Sequence, residues 1–207
     1  MLYLFNNMER LIKKSKRKIE QLNLTKHRAI YDEIDWDERL VLLLGHRGTG
    51  KTTLMLQRLK NDNSKGVYLS LDDFYFETHR LVEVFDGLYH EGFRHFYFDE
   101  VHRYPHWSKD LKQIYDDYND VKLLATGSSL LDISKGNADL SRRAVTYRIQ
   151  GLSFREYLWL EKNMYLKSIS LKNIIQNHNE IENDLLDQFS WENDFTNYVR
   201  FGYYPFF

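Results

Sequence analysis

The sequence contains no cysteine, and this absence excludes several kinds of chemistry. A chain without thiols forms no disulfides, no thiolate zinc sites and no cysteine nucleophile, as is typical of proteins from a reducing compartment. No apolar run approaches the roughly 20 residues of a membrane-spanning helix, and the first residues lack the basic and apolar regions of a secretory signal. We therefore expect a cytoplasmic protein that does not enter a membrane.

The sequence also has no excess of charge of one sign, and it contains little proline. The 29 basic and 30 acidic residues give a formal net charge of −1, so we expect no global attraction to nucleic acid or membrane surfaces. Proline occurs only twice, whereas aromatic residues reach 15% and cluster in residues 201–207. Because apolar groups gain nothing from water, this ending predicts a piece of a longer protein, and a tail that packs back onto the domain is the alternative.

Apolar runs alternate with amphipathic segments through the middle of the chain. Candidate strands lie at residues 39–44, 66–71, 94–98, 121–125 and 144–149, and candidate helices at 52–60, 80–91 and 107–118. Unbroken apolar runs are typical of strands buried on both faces, and this alternation predicts an α/β fold with a central parallel sheet flanked by helices. We expect a core at residues 31–157, an N-terminal helical extension at 1–30, and the helical start of an incomplete C-terminal module at 158–207.

Residues 45–52, Gly-His-Arg-Gly-Thr-Gly-Lys-Thr, match the phosphate-binding pattern G-x-x-x-x-G-K-[ST] between a candidate strand and a candidate helix. Glycines let backbone N–H groups wrap around phosphates, and the helix start adds its positive dipole end. We expect Lys51 to reach the β- and γ-phosphates of ATP and Thr52 to hold Mg²⁺. The other predicted nucleotide contacts in this segment are Gly45, Gly48, Thr49, Gly50 and Thr53. The pattern predicts a three-layer sandwich of the P-loop NTPase type.

Two acids, Asp99 and Glu100, directly follow the candidate strand at residues 94–98. A carboxylate at the end of a buried strand suits Mg²⁺, which prefers oxygen ligands, and Asp99 is our metal-binding candidate. Glu100 is the candidate to orient and deprotonate an attacking water. In a parallel sheet the carboxyl ends of the strands meet at one edge, so we expect these acids beside the glycine loop.

Hydroxyl and guanidinium groups follow the later strands. Thr126 and Ser128 are candidates to contact the γ-phosphate or the attacking water, with Ser129 beside them. N-capping of a helix by a serine is an alternative that is compatible with this role. Arg143 is a candidate catalytic residue, because a guanidinium stabilises charge on a transferred phosphoryl group in its own subunit or in a neighbouring one.

A basic run lies within a candidate amphipathic helix at residues 8–22. Residues 13–18 read Lys-Lys-Ser-Lys-Arg-Lys. Such a run contacts phosphate backbones in some proteins, but a solvated helix face is the commoner explanation. Both interpretations stay open at this point.

With these residues in place, the chain resembles a prokaryotic P-loop ATPase family of the AAA superfamily, whose members often continue into a C-terminal domain of unknown function. The segments that carry the resemblance are residues 45–54, 98–102, 107, 111–116, 126–129, 140–143 and 152–158. Arg143 falls on the family's arginine, whereas Arg142 and Gly151 stand where the family usually has glycine and proline. The resemblance implies that the strand before Thr126 lies between the loop strand and the Asp-Glu strand. It also implies that residues 195–204 begin the C-terminal module.

Three functions are compatible with these features. The favoured one is an Mg²⁺-dependent ATPase whose nucleotide state drives a conformational or assembly change, with a homo-oligomer and an unidentified protein or nucleic-acid partner as further expectations. A small-molecule phosphotransferase is less favoured, because no arginine-rich lid segment is evident. A nucleotide-regulated binding module is the third. A GTPase is disfavoured, because the sequence has no guanine-reading Asn-Lys-x-Asp motif.

Overall fold

The computed structural model describes residues 2–22, 26–62, 64–127, 140–186 and 191–205. The chain divides into two compact units, Met1–Gln150 and Gly151–Phe207. The domain limits expected at residues 30 and 157 stay a prediction.

The first unit alternates strands with helices. Its helices are α1 (Leu2–Glu20), α2 (Lys51–Lys60), α3 (Tyr75–Thr78), α4 (Leu81–His90) and α5 (Trp107–Asp117), with 3-10 turns at Ala29–Asp32 and Val101–Arg103. Its strands are β1 (Leu40–Leu44), β2 (Gly66–Ser70), β3 (His95–Asp99), β4 (Lys122–Gly127) and β5 (Val145–Arg148). Each predicted strand is present, with ends shifted by one or two residues.

The five strands form one parallel sheet in the order β2-β3-β4-β1-β5. The predicted parallel sheet flanked by helices is confirmed, and so is the placement of β4 between β1 and β3. The register pairs Leu44 with Gly127, and Ser70 with Asp99. The carboxyl ends of four strands therefore meet at one edge.

Alternate residues of each strand pack into two cores, one on each face of the sheet. On one face, Phe96 and Phe98 of β3 pack in a cluster with Phe85 of α4 and Leu111 of α5. On the opposite face, the cluster includes residues of β1, β2 and β3 together with the apolar side of α2. Because β1 is buried along its whole length, its sequence reads as an unbroken apolar run.

Helix α1 lies against the edge strand β2. The buried side chain of Ser15 accepts a 2.9 Å hydrogen bond from the backbone N–H of Tyr68, so the helix occupies a donor that the edge strand would otherwise leave open. The helix begins six residues before the predicted residue 8, because residues 2–7 contain no glycine or proline to stop it. The basic side chains of Lys16, Arg17 and Lys18 are exposed, which is compatible with both interpretations of this run.

The second unit is helical. It contains α6 (Phe154–Lys162), α7 (Leu171–Leu186), α8 (Trp191–Asn197) and a π-helical turn at Tyr198–Gly202. A capping box between Ser153 and Glu156 starts α6. Within the described ranges of both units, no helix is long and apolar enough to cross a membrane.

Candidate functional site

The segment between β1 and α2 forms a tight loop at the carboxyl edge of the sheet. Gly48 and Gly50 both have φ of 85°, a conformation that glycine adopts without steric cost. At Gly45 a Cβ atom would lie 2.1 Å from the carbonyl oxygen of Ile149, so only glycine fits there. The loop therefore needs its glycines for backbone geometry and for close packing.

Lys51 folds back across this loop. Its ammonium donates hydrogen bonds to the carbonyl oxygens of Gly45 (2.9 Å) and His46 (2.7 Å), and the residue is only 4% exposed. Burial lowers the pKa of Lys51, while the charges of Glu100 and Asp99 act in the opposite direction. Asp99 lies close to the loop, because its carboxylate contacts Thr52, which directly follows Lys51.

Asp99 is 3% exposed and accepts hydrogen bonds from three hydroxyl groups. Thr52 Oγ1 lies 2.9 Å from Oδ2 and 3.1 Å from Oδ1, and Tyr68 Oη donates to Oδ2 at 2.8 Å. Thr126 Oγ1 donates to Oδ1. The structure thus brings together three residues that the sequence singled out, Thr52, Asp99 and Thr126.

Thr126 also serves the neighbouring acid. Its hydroxyl oxygen accepts a 3.1 Å hydrogen bond from the backbone N–H of Glu100, while its proton goes to Asp99. Because Thr126 is fully buried, no water competes for these two contacts. One side chain from β4 thereby fixes the position of both acids at the end of β3.

Glu100 has a left-handed backbone, with φ of 55° and ψ of 40°, and begins the 3-10 turn Val101–Arg103. Such a conformation is strained for a residue with a side chain, and strained residues are common at functional sites. Its carboxylate Oε2 lies 3.3 Å from Nε2 of His102, whose side chain is largely buried. The backbone therefore leaves the strand direction at Glu100, and the carboxylate lies beside His102.

The donor set around Thr52 and Asp99 fits Mg²⁺. Both groups offer oxygen, which this hard cation prefers, and Mg²⁺ usually takes only one or two protein ligands beside phosphates and water. The hydroxyl proton of Thr52 points to Asp99, so the oxygen keeps lone pairs for a cation. The structure brings Thr52 and Asp99 together, and their binding of a metal ion stays a prediction.

Some predicted site residues have contacts elsewhere. Arg143 forms an ion pair with Asp116 of α5, with N–O distances of 2.7 and 2.9 Å, and its predicted role on the phosphoryl group stays a prediction. Thr49 is buried and its hydroxyl donates to the carbonyl of His46, which braces the loop. Ser128 and Ser129 lie outside the described residues. Thr53 is half-buried in the first turn of α2.

Two residues that shape the site were missed by the sequence reasoning. Tyr68, two residues before the end of β2, contacts Asp99 through its hydroxyl. Arg28 donates to the carbonyl oxygens of Thr49 (3.0 Å) and Gln150 (2.6 Å) and so ties the loop to the segment after β5. The only signal for Tyr68 was a hydroxyl-bearing side chain in the middle of a largely apolar strand. Arg28 lies in no motif.

Comparison with known proteins identifies a protein family and a relative with a similar sequence. A family model described as an AAA domain matches residues 37–158. Uncharacterized protein MJ1637 of Methanocaldococcus jannaschii is 36% identical over 193 residues, which cover 85% of this chain and 40% of that protein. The chain thus spans less than half the length of this relative.

Two solved structures are also similar. The structure of C. elegans PCH-2 is 23% identical, covers 77% of this chain and 46% of its own, and has a TM-score of 0.45. The Walker-type ATPase PABY2304 of Pyrococcus abyssi is 16% identical, covers 63% of this chain and 56% of its own, and has a TM-score of 0.45.

Proposed function

The chain belongs to the AAA domain family, and from this membership and the site geometry we propose that it binds ATP with Mg²⁺ and hydrolyses the bond to the γ-phosphate. The observation that carries the proposal is the contact of Thr52 with Asp99, directly beside the loop that holds Lys51. The nucleotide state then drives a conformational or assembly change.

In this proposal the phosphates replace the contacts that Lys51 makes with its own loop. The ammonium leaves the carbonyl oxygens of Gly45 and His46 and binds the β- and γ-phosphate oxygens. Because Lys51 is buried, its charged ammonium is unfavourable unless an anion lies beside it, as the lowered pKa of Lys51 indicates. A phosphate supplies that partner, and the N–H groups of the loop and of the first turn of α2 complete the anion site.

Thr52 would hold Mg²⁺ with its hydroxyl oxygen, and Asp99 would hold it directly or through a water. When bound, the ion neutralises charge that develops on the phosphate oxygens. Tyr68 donates to Oδ2 of Asp99 and Thr126 donates to Oδ1, so the carboxylate stays beside Thr52. The remaining predicted nucleotide contacts, including Gly48, Gly50 and Thr53, belong to the same anion site.

Glu100 orients the attacking water and accepts its proton. Thr126 holds the backbone N–H of Glu100 and His102 lies 3.3 Å from its carboxylate, so the base has a defined position at the carboxyl edge of the sheet. Thr126 acts on the γ-phosphate side of the site through the two acids that it holds, and contact of Ser128 with the γ-phosphate stays a prediction. Arg143 acts on the transferred phosphoryl group, and if it acts in a neighbouring subunit the ATPase works as a homo-oligomer.

The test is hydrolysis by Glu100→Gln, with the exposed Glu91→Gln at the end of α4 as the matched control. We expect Glu100→Gln to lower phosphate release by about 10²- to 10⁴-fold, the usual contribution of a general base, while ATP binding persists. The control should hydrolyse ATP at the wild-type rate.

Wild-type turnover by Glu100→Gln would refute the assignment of the base. A phosphorylated acceptor in place of free phosphate would instead identify the phosphotransferase alternative. Absence of both ATP binding and turnover in the wild-type protein would refute the proposed function as a whole.

A further inference from the structure

Two buried tyrosines lie side by side on the α2 face of the sheet. Tyr68 of β2 and Tyr97 of β3 are register partners, and both belong to the same apolar cluster. Each donates its phenol proton to a carboxylate at 2.8 Å, but the two carboxylates differ. Tyr97 contacts Asp62, which follows α2, whereas Tyr68 contacts Asp99 in the candidate site.

The contact of Tyr68 constrains how Asp99 is oriented. Thr52 lies within hydrogen-bond distance of both oxygens of this carboxylate, so Thr52 by itself leaves the carboxylate free to rotate. Tyr68 holds Oδ2 and Thr126 holds Oδ1, from opposite neighbouring strands. With both oxygens held, the carboxylate plane is fixed and so is the direction in which the Thr52 proton points.

We propose that Tyr68 is a positioning residue that orients Asp99, and through it the Thr52 hydroxyl, for Mg²⁺ that arrives with a nucleotide. This inference rests on the proposed function. Tyr68 itself touches neither the nucleotide nor the cation. It acts by keeping the lone pairs of Thr52 turned away from Asp99.

A tyrosine suits this position for two reasons. Its ring packs in the apolar cluster on the α2 face, while its hydroxyl donates a 2.8 Å hydrogen bond to Oδ2 of Asp99. Because the phenol is neutral, the negative charge of Asp99 remains available to a cation. A lysine or arginine at this position would neutralise that charge. Ser15 of α1 holds the backbone N–H of the same residue, which fixes this part of the edge strand.

The experiment compares Tyr68→Phe with Tyr97→Phe, which loses an equivalent buried phenol–carboxylate contact away from the site. Calorimetric titration with ADP, in Mg²⁺ and again in EDTA, measures binding without turnover. For Tyr68→Phe we expect Kd in Mg²⁺ to rise about tenfold, the size of a lost hydrogen bond to a charged group, and Kd in EDTA to stay unchanged. Tyr97→Phe should match the wild-type protein under both conditions.

A second comparison tests whether Tyr68 acts through Asp99. In an Asp99→Asn background, Tyr68→Phe should cause no further loss of Mg²⁺-dependent binding. The inference is overturned if Tyr68→Phe binds ADP with Mg²⁺ as wild type does, if Tyr97→Phe loses as much, or if the two changes add in full. Failure of the proposed function is distinguishable, because the wild-type protein would then bind no nucleotide or bind it equally well in Mg²⁺ and EDTA.

Discussion

Replacing Thr126 by valine removes a hydroxyl that serves both acids of the site while keeping the shape of the side chain. Two contacts disappear: the donation to Asp99 and the acceptance from the backbone N–H of Glu100. The fully buried position leaves no room for water to replace them. We therefore expect a large loss of stability without any cavity.

The magnitude follows from the two contacts. A hydrogen bond to a charged group is worth about 1.5–3 kcal/mol, and leaving a buried N–H unpaired costs about 1–3 kcal/mol. Because the two contacts share one hydroxyl, their sum is not additive, and we expect about 3 kcal/mol in the free energy of unfolding. The strained backbone of Glu100 loses its support at the same time.

Urea unfolding followed by tryptophan fluorescence measures this loss, and Thr126→Ser provides the matched control. Serine keeps the hydroxyl and loses one methyl group, which costs about 1 kcal/mol in a core. The reasoning is refuted if the valine variant unfolds within about 0.5 kcal/mol of wild type, or if serine destabilises the protein as much as valine does.

Two further changes test the ion pairs of Asp73 and the contact between Glu100 and His102. Burial alone would raise the pKa of Asp73, but Lys14, Arg10 and the N–H of Tyr75 outweigh it and lower the pKa to about 2. The contact therefore stabilises the fold fully above about pH 3.9 and loses its effect as the pH falls through about 2. Because Arg10 and Lys14 are 51% and 42% exposed, we expect Asp73→Asn to lower the free energy of unfolding by only about 1 kcal/mol at pH 7. Urea unfolding should also show that the variant's stability changes less than that of the wild type between pH 5 and 2. An unchanged pH dependence of stability would contradict this. His102→Leu should lower kcat of ATP hydrolysis about tenfold without changing Kd for ATP. His102→Gln keeps an N–H donor facing Glu100 and should restore most of the lost kcat. A wild-type kcat in the leucine variant would show that His102 does not position Glu100.

Much of the fold could be predicted because its signals are local. An unbroken apolar run such as β1 reads as a strand buried on both faces wherever it occurs, and alternation with helices implies parallel pairing. The resemblance to an AAA family, carried by short motifs, is confirmed by the family match over residues 37–158. The place of β4 between β1 and β3 came from that resemblance, because composition and periodicity do not decide which strands are neighbours.

The sequence alone also determined the main parts of the candidate site. A glycine loop after one strand and two acids after another had to meet, because parallel strands present their carboxyl ends at one edge. Thr52, Asp99 and Thr126 are accordingly in contact. Each of these residues could be found because its place in a motif or at a strand end can be recognised in the amino-acid sequence.

Only the tertiary structure decided how these groups are held. The partner of Asp99 on β2, the arginine that braces the loop, and the ion pair of Arg143 all join residues that are 21 to 122 positions apart in the chain. Such contacts depend on strand register, side-chain rotamers and the packing of neighbouring elements, none of which leaves a periodic pattern. The sequence therefore specified which chemical groups reach the edge of the sheet, and packing specified which of them touch.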